Sequence, residues 1–110
     1  MIEKIILDYL LEALNVDVYL EKPDNPPERY VLIEKTSNSK ENHIYTATFA
    51  VQSYAESLFF AAELNGVVIN AMDNLVKLKE IGSSKYNTDY NYTDTSKKIY
   101  RYQAIYDVTY

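Results

Sequence analysis

The sequence contains no cysteine and no tryptophan, and it has two glycines, three prolines and one histidine. Without cysteine, the chain can form neither disulfides nor thiolate-based metal or catalytic sites. A zinc site of the usual kind needs several His or Cys ligands, and His43 alone cannot supply them. Two glycines leave no Gly-rich phosphate loop. We therefore predict no metal site and no bound cofactor.

Positive charge is scarce as well. Sixteen acidic residues against eleven basic ones give a net charge of −5, and an acidic surface repels the phosphates that supply most nucleic-acid affinity. The carboxylates are scattered, and His43 has no partner pattern that would make it a catalytic base. The sequence predicts no catalytic residue and no specific nucleic-acid binding, so an enzyme is not expected.

Long apolar runs are also absent. No segment approaches the roughly 20 residues of a membrane-spanning helix, and the charges within residues 1–8 are too closely spaced for a signal peptide. We expect a protein that is made and folded in the cytoplasm, without membrane contact. With 110 residues, 47% of them hydrophobic, the chain fits one domain over residues 1–110.

Two segments have helical periodicity. Residues 2–14 place apolar side chains on one stripe and predict an amphipathic helix that ends near Asn15. Residues 53–56 (SYAE) match a capping box, in which Ser53 and Glu56 cap the start of a helix reciprocally. The spacing behind this motif predicts a second helix from about Tyr54 to Lys77.

The remaining segments favour strands. Residues 16–20, 29–36, 43–52 and 98–110 are rich in β-branched and aromatic residues, and the last two alternate between apolar and polar side chains. The alternation places two sets of residues of the final strand on opposite faces: Tyr100, Tyr102, Ala104, Tyr106 and Val108 on the face under the helices, and Arg101, Gln103, Ile105, Asp107 and Thr109 on the other.

Two further segments have weaker patterns. Residues 79–94 predict one irregular strand or a long hairpin arm. Residues 37–42 are polar throughout and predict a loop, which we expect to be mobile. In this order, the elements predict an α+β fold, in which an antiparallel or mixed sheet carries two helices on one face.

Tyrosine is abundant, with twelve copies. Its ring fills cores while its hydroxyl stays polar, and it is enriched at protein interfaces. The simpler interpretation is a set of half-buried strand residues; the functional one is a contact surface between subunits.

Three groups of motifs, in order along the chain, resemble one family. They are VYLEKP (18–23) followed by PPERYVLIEKT (26–36), then AVQSYA (50–55) leading into AAEL (61–64), and the ending YRYQAIY (100–106). Together they are similar to the tail-terminator-like, or minor tail-completion, proteins of long-tailed bacteriophages and prophages of Gram-positive hosts. The match covers nearly the whole chain, and it rests on the order and spacing of the motifs along the sequence.

The resemblance implies a hexameric ring at the head-proximal end of the tail tube, which stops tube growth and contacts head-connector proteins. DNA would pass through the ring, and the protein would move from the host cytoplasm into the virion. Combined with the polar loop and the polar face of the final strand, it predicts the following subunit-interface residues: Ser37, Asn38, Ser39, Lys40, Glu41, Asn42, Arg101, Gln103 and Ile105.

Two alternatives stay open beside a third possibility, an acidic protein that binds a host factor. One is a head-closure or head–tail adaptor protein of the same virion. The other is a small α+β enzyme or ligand-binding domain with a site at a dimer interface, and the lack of histidine partners counts against it.

Overall fold

The computed structural model describes residues 1–110 and shows one α+β domain. The predicted class, a mixed sheet with two helices, is confirmed. The elements in chain order are α1 (Ile2–Ala13), β1 (Asp17–Tyr19), β2 (Tyr30–Glu41), β3 (Ile44–Ala55), α2 (Leu58–Asp73), a short 3₁₀ helix (Leu75–Lys77), β4 (Ser83–Asn91) and β5 (Tyr100–Thr109).

The five strands form one sheet in the order β1-β2-β3-β5-β4. The short strand β1 runs parallel to β2, and every other neighbouring pair is antiparallel. Because β5 lies between β3 and β4, the two ends of the sheet are β1 with the free part of β2 on one side and β4 on the other.

Both helices and the sheet share one core of 19 buried residues. Helix α1 contributes Ile2, Ile6 and Leu10, at the spacing predicted for its apolar stripe. From the sheet, the contributors include Phe49 on β3 and the central residues of β5, which are Ala104, Tyr106 and Val108. The predicted alternation of the final strand is therefore correct for its apolar face. We call the opposite face, which no helix covers, the outer face.

The predicted start of the second helix is wrong. Strand β3 continues through Ala55, so Ser53 lies within a strand, and Ser57 is the residue that caps α2 by accepting from the Phe60 amide at 3.2 Å. Glu56 instead binds Arg29, from a distant part of the chain. The helix also ends at Asp73, before the predicted Lys77, and the residues up to Lys77 form the 3₁₀ helix.

Candidate subunit interface

The hairpin formed by β2 and β3 extends beyond the region that the helices cover. Residues 37–46, which we call the arm, are all exposed apart from the half-buried Thr46. Ladder pairing nevertheless continues to the tip, from Ser37 opposite Thr48 to Glu41 opposite Ile44. The predicted loop is therefore wrong for residues 37–41, which are strand; of the six residues, only Asn42 lies in the turn.

The turn at the tip of the arm consists of Asn42 and His43, with φ angles of 51° and 66°. A two-residue hairpin turn of type I′, whose twist matches that of the strands, needs positive φ at both positions. Asn and His adopt this region more readily than most residues. The local sequence thus fits a tight turn, which keeps the arm a regular ribbon.

Contacts with the last residue of the chain support the arm on one side. The rings of Tyr45 and Tyr110 stack with centroids 5.3 Å apart, and the Tyr110 hydroxyl donates to Asn38 Oδ1 at 2.9 Å. Lys40 Nζ lies 5.2 Å from the Tyr45 ring centroid. The end of β5 therefore supports the arm as far as Tyr45, and only the adjoining tip, which exposes Ile44 (56%) to solvent, extends past it.

The other three predicted interface residues lie on the outer face of β5. Gln103 is buried, with 8% exposure. Its side-chain amide is satisfied there, since it accepts from Gln52 Nε2 at 2.7 Å and donates to the Tyr90 hydroxyl. Ile105 is half-buried opposite Ala50. These side chains fill the outer face by contacting each other, so this face is packed although no helix covers it.

Arg101 is held in place by aromatic neighbours. Its Nε donates to the Tyr92 carbonyl at 2.7 Å, and its guanidinium lies 4.5 Å from the Tyr92 ring centroid. On its other side, Nη1 donates to the Tyr54 hydroxyl at 3.3 Å, and Tyr54 stacks on Tyr30 at 4.4 Å. Burial raises the pKa of Tyr30 to about 12.

The predicted interface residues therefore form two groups. Arg101 pairs with Tyr54 near the end of β3, whereas the arm contains the start of β3 at Ile44. The structure brings the six arm residues together and leaves the three outer-face residues apart from them. An interface role for either group stays a prediction.

Sequence reasoning missed two open sheet edges. Strand β1 pairs with β2 only at residues 30–32, so the outer edge of β2 over residues 33–41 has no neighbour. Strand β4 pairs with β5 alone, so its other edge is open over all its residues. The β4 edge was hidden because a bulge at Asn87, between Tyr86 and Thr88, interrupts the alternation.

A small cleft beside the start of α2 was missed as well. It has a volume of ≈ 220 Å³, and its apolar lining consists of Leu14, Val16, Phe60, Leu64 and Val67. At its rim, Arg29 binds Glu56 through two hydrogen bonds of 2.7 and 2.8 Å, which lower the pKa of the Glu56 carboxyl. The cleft is smaller than the roughly 300–1,000 Å³ of usual small-molecule sites.

Neither helix is long and apolar enough to cross a membrane. The structure also gathers no group of three or more His, Asp or Glu side chains suited to holding a metal ion. In sequence comparisons, no protein-family model and no curated protein matches the chain.

Proposed function

We propose that this protein is a structural, non-enzymatic subunit of a long-tailed bacteriophage, and that it assembles into a hexameric ring at the head-proximal end of the tail tube. There it would terminate the tube and contact head-connector proteins. The sequence resemblance suggests this role, and the arm is the structural observation that carries it.

In a protein that acts alone, the exposed end of the arm would cost stability. Strand β5 pairs with β3 as far as Thr46, and Tyr110 exchanges backbone hydrogen bonds with Tyr45, so only the tip of the arm, residues 41–44, extends as two strands alone. A two-stranded end without a third strand or a covering layer is at best marginally stable in water. Here the ribbon places Ile44 and half-exposed Tyr45 in solvent, with no core of its own. A neighbouring subunit would cover these side chains and the ribbon's free backbone groups, so the arm supports a self-assembling protein.

The charge balance fits the proposed location. In a ring around the phage genome, a net charge of −5 would let DNA slide through without sticking, because phosphates and carboxylates repel each other. The protein would be assembled in the host cytoplasm, with the tail tube protein as a second partner, and would then remain in the virion.

Shortening the arm tests the proposal. Deleting Ser39, Lys40, Tyr45 and Thr46 removes two pairs between β2 and β3, together with the contacts of Tyr45 and Thr46 with the end of β5. It keeps the alternation of faces and retains the turn. Two residues per strand shorten the ribbon by roughly 7 Å. Light scattering over a wide concentration range and negative-stain microscopy would follow ring formation, with and without purified tail tubes. Lys97→Ser, in a turn outside the arm, is the control.

We expect rings from the natural protein and the control, and monomers from the shortened variant at an unchanged fold by circular dichroism. A natural protein that stays monomeric or forms only two-fold dimers, even with tail tubes present, would refute the proposal. Genes for head and major tail proteins beside its own would support the phage assignment, and a neighbourhood without them would count against it.

A further inference from the structure

The two open sheet edges lie at opposite sides of the molecule and have matching lengths. One is β2 over residues 33–41, and the other is β4 over residues 83–91. Neither contains proline, which proteins often use to block edge pairing. Each has one register shift, at Lys35/Ser37 in β2 and at Tyr86/Thr88 in β4.

The charges on these edges differ between the two faces of the sheet. On the outer face, β2 presents Glu34 and Glu41, while β4 presents Lys85, which pairs with Asp107 of β5. A second copy placed beside the first would bring acidic side chains of β2 against a basic side chain of β4.

The pattern is reversed on the helix-covered face. There β2 presents Lys35, whose ammonium binds Glu3 of α1 at 3.2 Å, and Lys40, which lies beside Tyr45. On the same face, β4 presents Asp89, whose carboxylate accepts from Asn65 of α2 at 2.8 Å. The two edges are therefore complementary in charge on both faces.

We infer that the open edge of β2 in one copy pairs antiparallel with the open edge of β4 in the next copy; this contact rests on the proposed self-assembly. Successive antiparallel pairs make β4 antiparallel to β2 within the sheet. A neighbour related by rotation about an axis inclined to the strands, which staggers adjacent copies along the sheet, therefore meets β2 in the antiparallel sense.

One register satisfies both the faces and the charges. Placing Glu41 opposite Lys85 brings Ser39 opposite Thr88 once the extra residue of β4, Asn87, is skipped. Every aligned pair then lies on a common face, as pairing requires. Lys40 and the partner copy's Asp89 become diagonal neighbours, within reach of long side chains.

Pairing of the β2 edge with itself would be unfavourable. A two-fold antiparallel β2–β2 contact that keeps the faces in phase and pairs the open edge over its full length puts Glu34 opposite Glu41 and Lys35 opposite Lys40. Like charges directly opposite each other destabilise a sheet. The charges thus favour a head-to-tail contact over a two-fold dimer, and a head-to-tail contact is the kind that closes into a ring.

Cysteine cross-linking tests the register directly, since the natural chain has no cysteine. The double variant Ser39→Cys/Thr88→Cys should form disulfide-linked multimers under mild oxidation, because cross-strand Cβ atoms lie near disulfide distance. The control Ser39→Cys/Thr95→Cys moves one thiol to an exposed turn away from the edge. Multimers no more abundant than in this control would overturn the inferred contact.

Charge reversal tests the same pair independently. Glu41→Lys or Lys85→Glu alone should weaken assembly by roughly two- to thirty-fold, as an attractive cross-strand pair becomes a repulsive one. The double variant should restore assembly, while Lys79→Glu, an exposed lysine outside the strands, should have little effect. Melting temperatures of the monomers would exclude loss of the fold as the cause.

The outcomes separate this inference from the proposed function. Rings by microscopy, without the 39–88 cross-link or without charge rescue, would refute the edge contact and leave the ring proposal standing. Absence of any ring would refute both. Cross-linked multimers together with charge rescue would establish the contact.

Discussion

The hydroxyl of Tyr106 joins the centre of the sheet to the end of α2. The oxygen lies 2.7 Å from Asp73 Oδ1 and 3.1 Å from the Ile69 carbonyl oxygen, and the ring is fully buried. Burial, followed by the nearby Asp73 carboxylate, raises the pKa of Tyr106 well above its usual range. The change Tyr106→Phe keeps the ring and removes only this hydroxyl.

The expected loss of stability follows from these contacts. A hydrogen bond to a charged group contributes about 1.5–3 kcal/mol net. Asp73 is exposed, so water can replace the lost donor, and we expect the lower end, about 1.5 kcal/mol. For a domain of this size, that corresponds to a fall in melting temperature of roughly 6 °C. Retaining the ring avoids the larger loss caused by a core cavity.

Urea unfolding, monitored by circular dichroism, would measure this difference. The control is Tyr102→Phe, on the same strand and face, because the half-buried Tyr102 makes no hydrogen bond through its hydroxyl. If Tyr106→Phe and Tyr102→Phe unfold at the same urea concentration, the bond between β5 and α2 contributes nothing and the reasoning is refuted.

Other substitutions test other parts of the structure. Gly66→Ala should raise the free energy of unfolding by about 1 kcal/mol, since an added Cβ meets nothing within 4 Å. Gly82→Ala should lower the free energy of unfolding, because its Cβ would lie 2.9 Å from the Thr109 hydroxyl. Urea titrations would show the gain for the first variant and the loss for the second. The raised pKa of Tyr30, about 12, means that its stabilising contribution is complete below pH 10 and is lost as the pH rises towards 12. Tyr30→Phe should therefore lose less stability between pH 9 and 11.5 than the natural protein, and an equal loss would contradict this origin. Ile105→Lys should reduce stability by less than about 1 kcal/mol because the lysine can extend to solvent, whereas Tyr106→Asp should unfold the domain; equal melting losses would show that Ile105 belongs to a core.

The alternating strands were the most predictable part of the fold. Residues 100–108 send alternate side chains to opposite faces, and the structure buries Ala104, Tyr106 and Val108 as predicted. Such a pattern depends only on the two-residue period of a strand, so it is visible in a local window of sequence.

Features that depend on distant residues were not predictable. The segment SYAE satisfies the rules for a capping box, but it also continues the pairing of β3 with β5, where Ser53 lies opposite Tyr102. Arg29 then recruits Glu56 from 27 positions away. Pairing with two neighbouring strands outweighed the local capping signal.

The candidate interface was predictable only in part. Polar composition correctly indicated that residues 37–42 are exposed, but it favoured a loop, because Ser, Asn and Lys have low strand propensity. The ribbon forms because β3 supplies a partner in register and residues 42–43 supply the turn. The open edge of β4 depends on which strand lies at the end of the sheet, and this order cannot be deduced from one segment.

The strand order also bears on how the chain folds. The hairpins β2–β3 and β4–β5 are each close in sequence, but the β3–β5 pairing that unites them can form only after α2 and β4 are spanned. Closing this long loop lowers chain entropy before its contacts form, so we expect it to limit the folding rate. Stopped-flow refolding should then be slowed by Phe49→Leu, in the β3–β5 ladder, more than by changes in the arm. Until that ladder closes, each molecule exposes two additional strand edges, and rapid dilution at low protein concentration should favour refolding over aggregation.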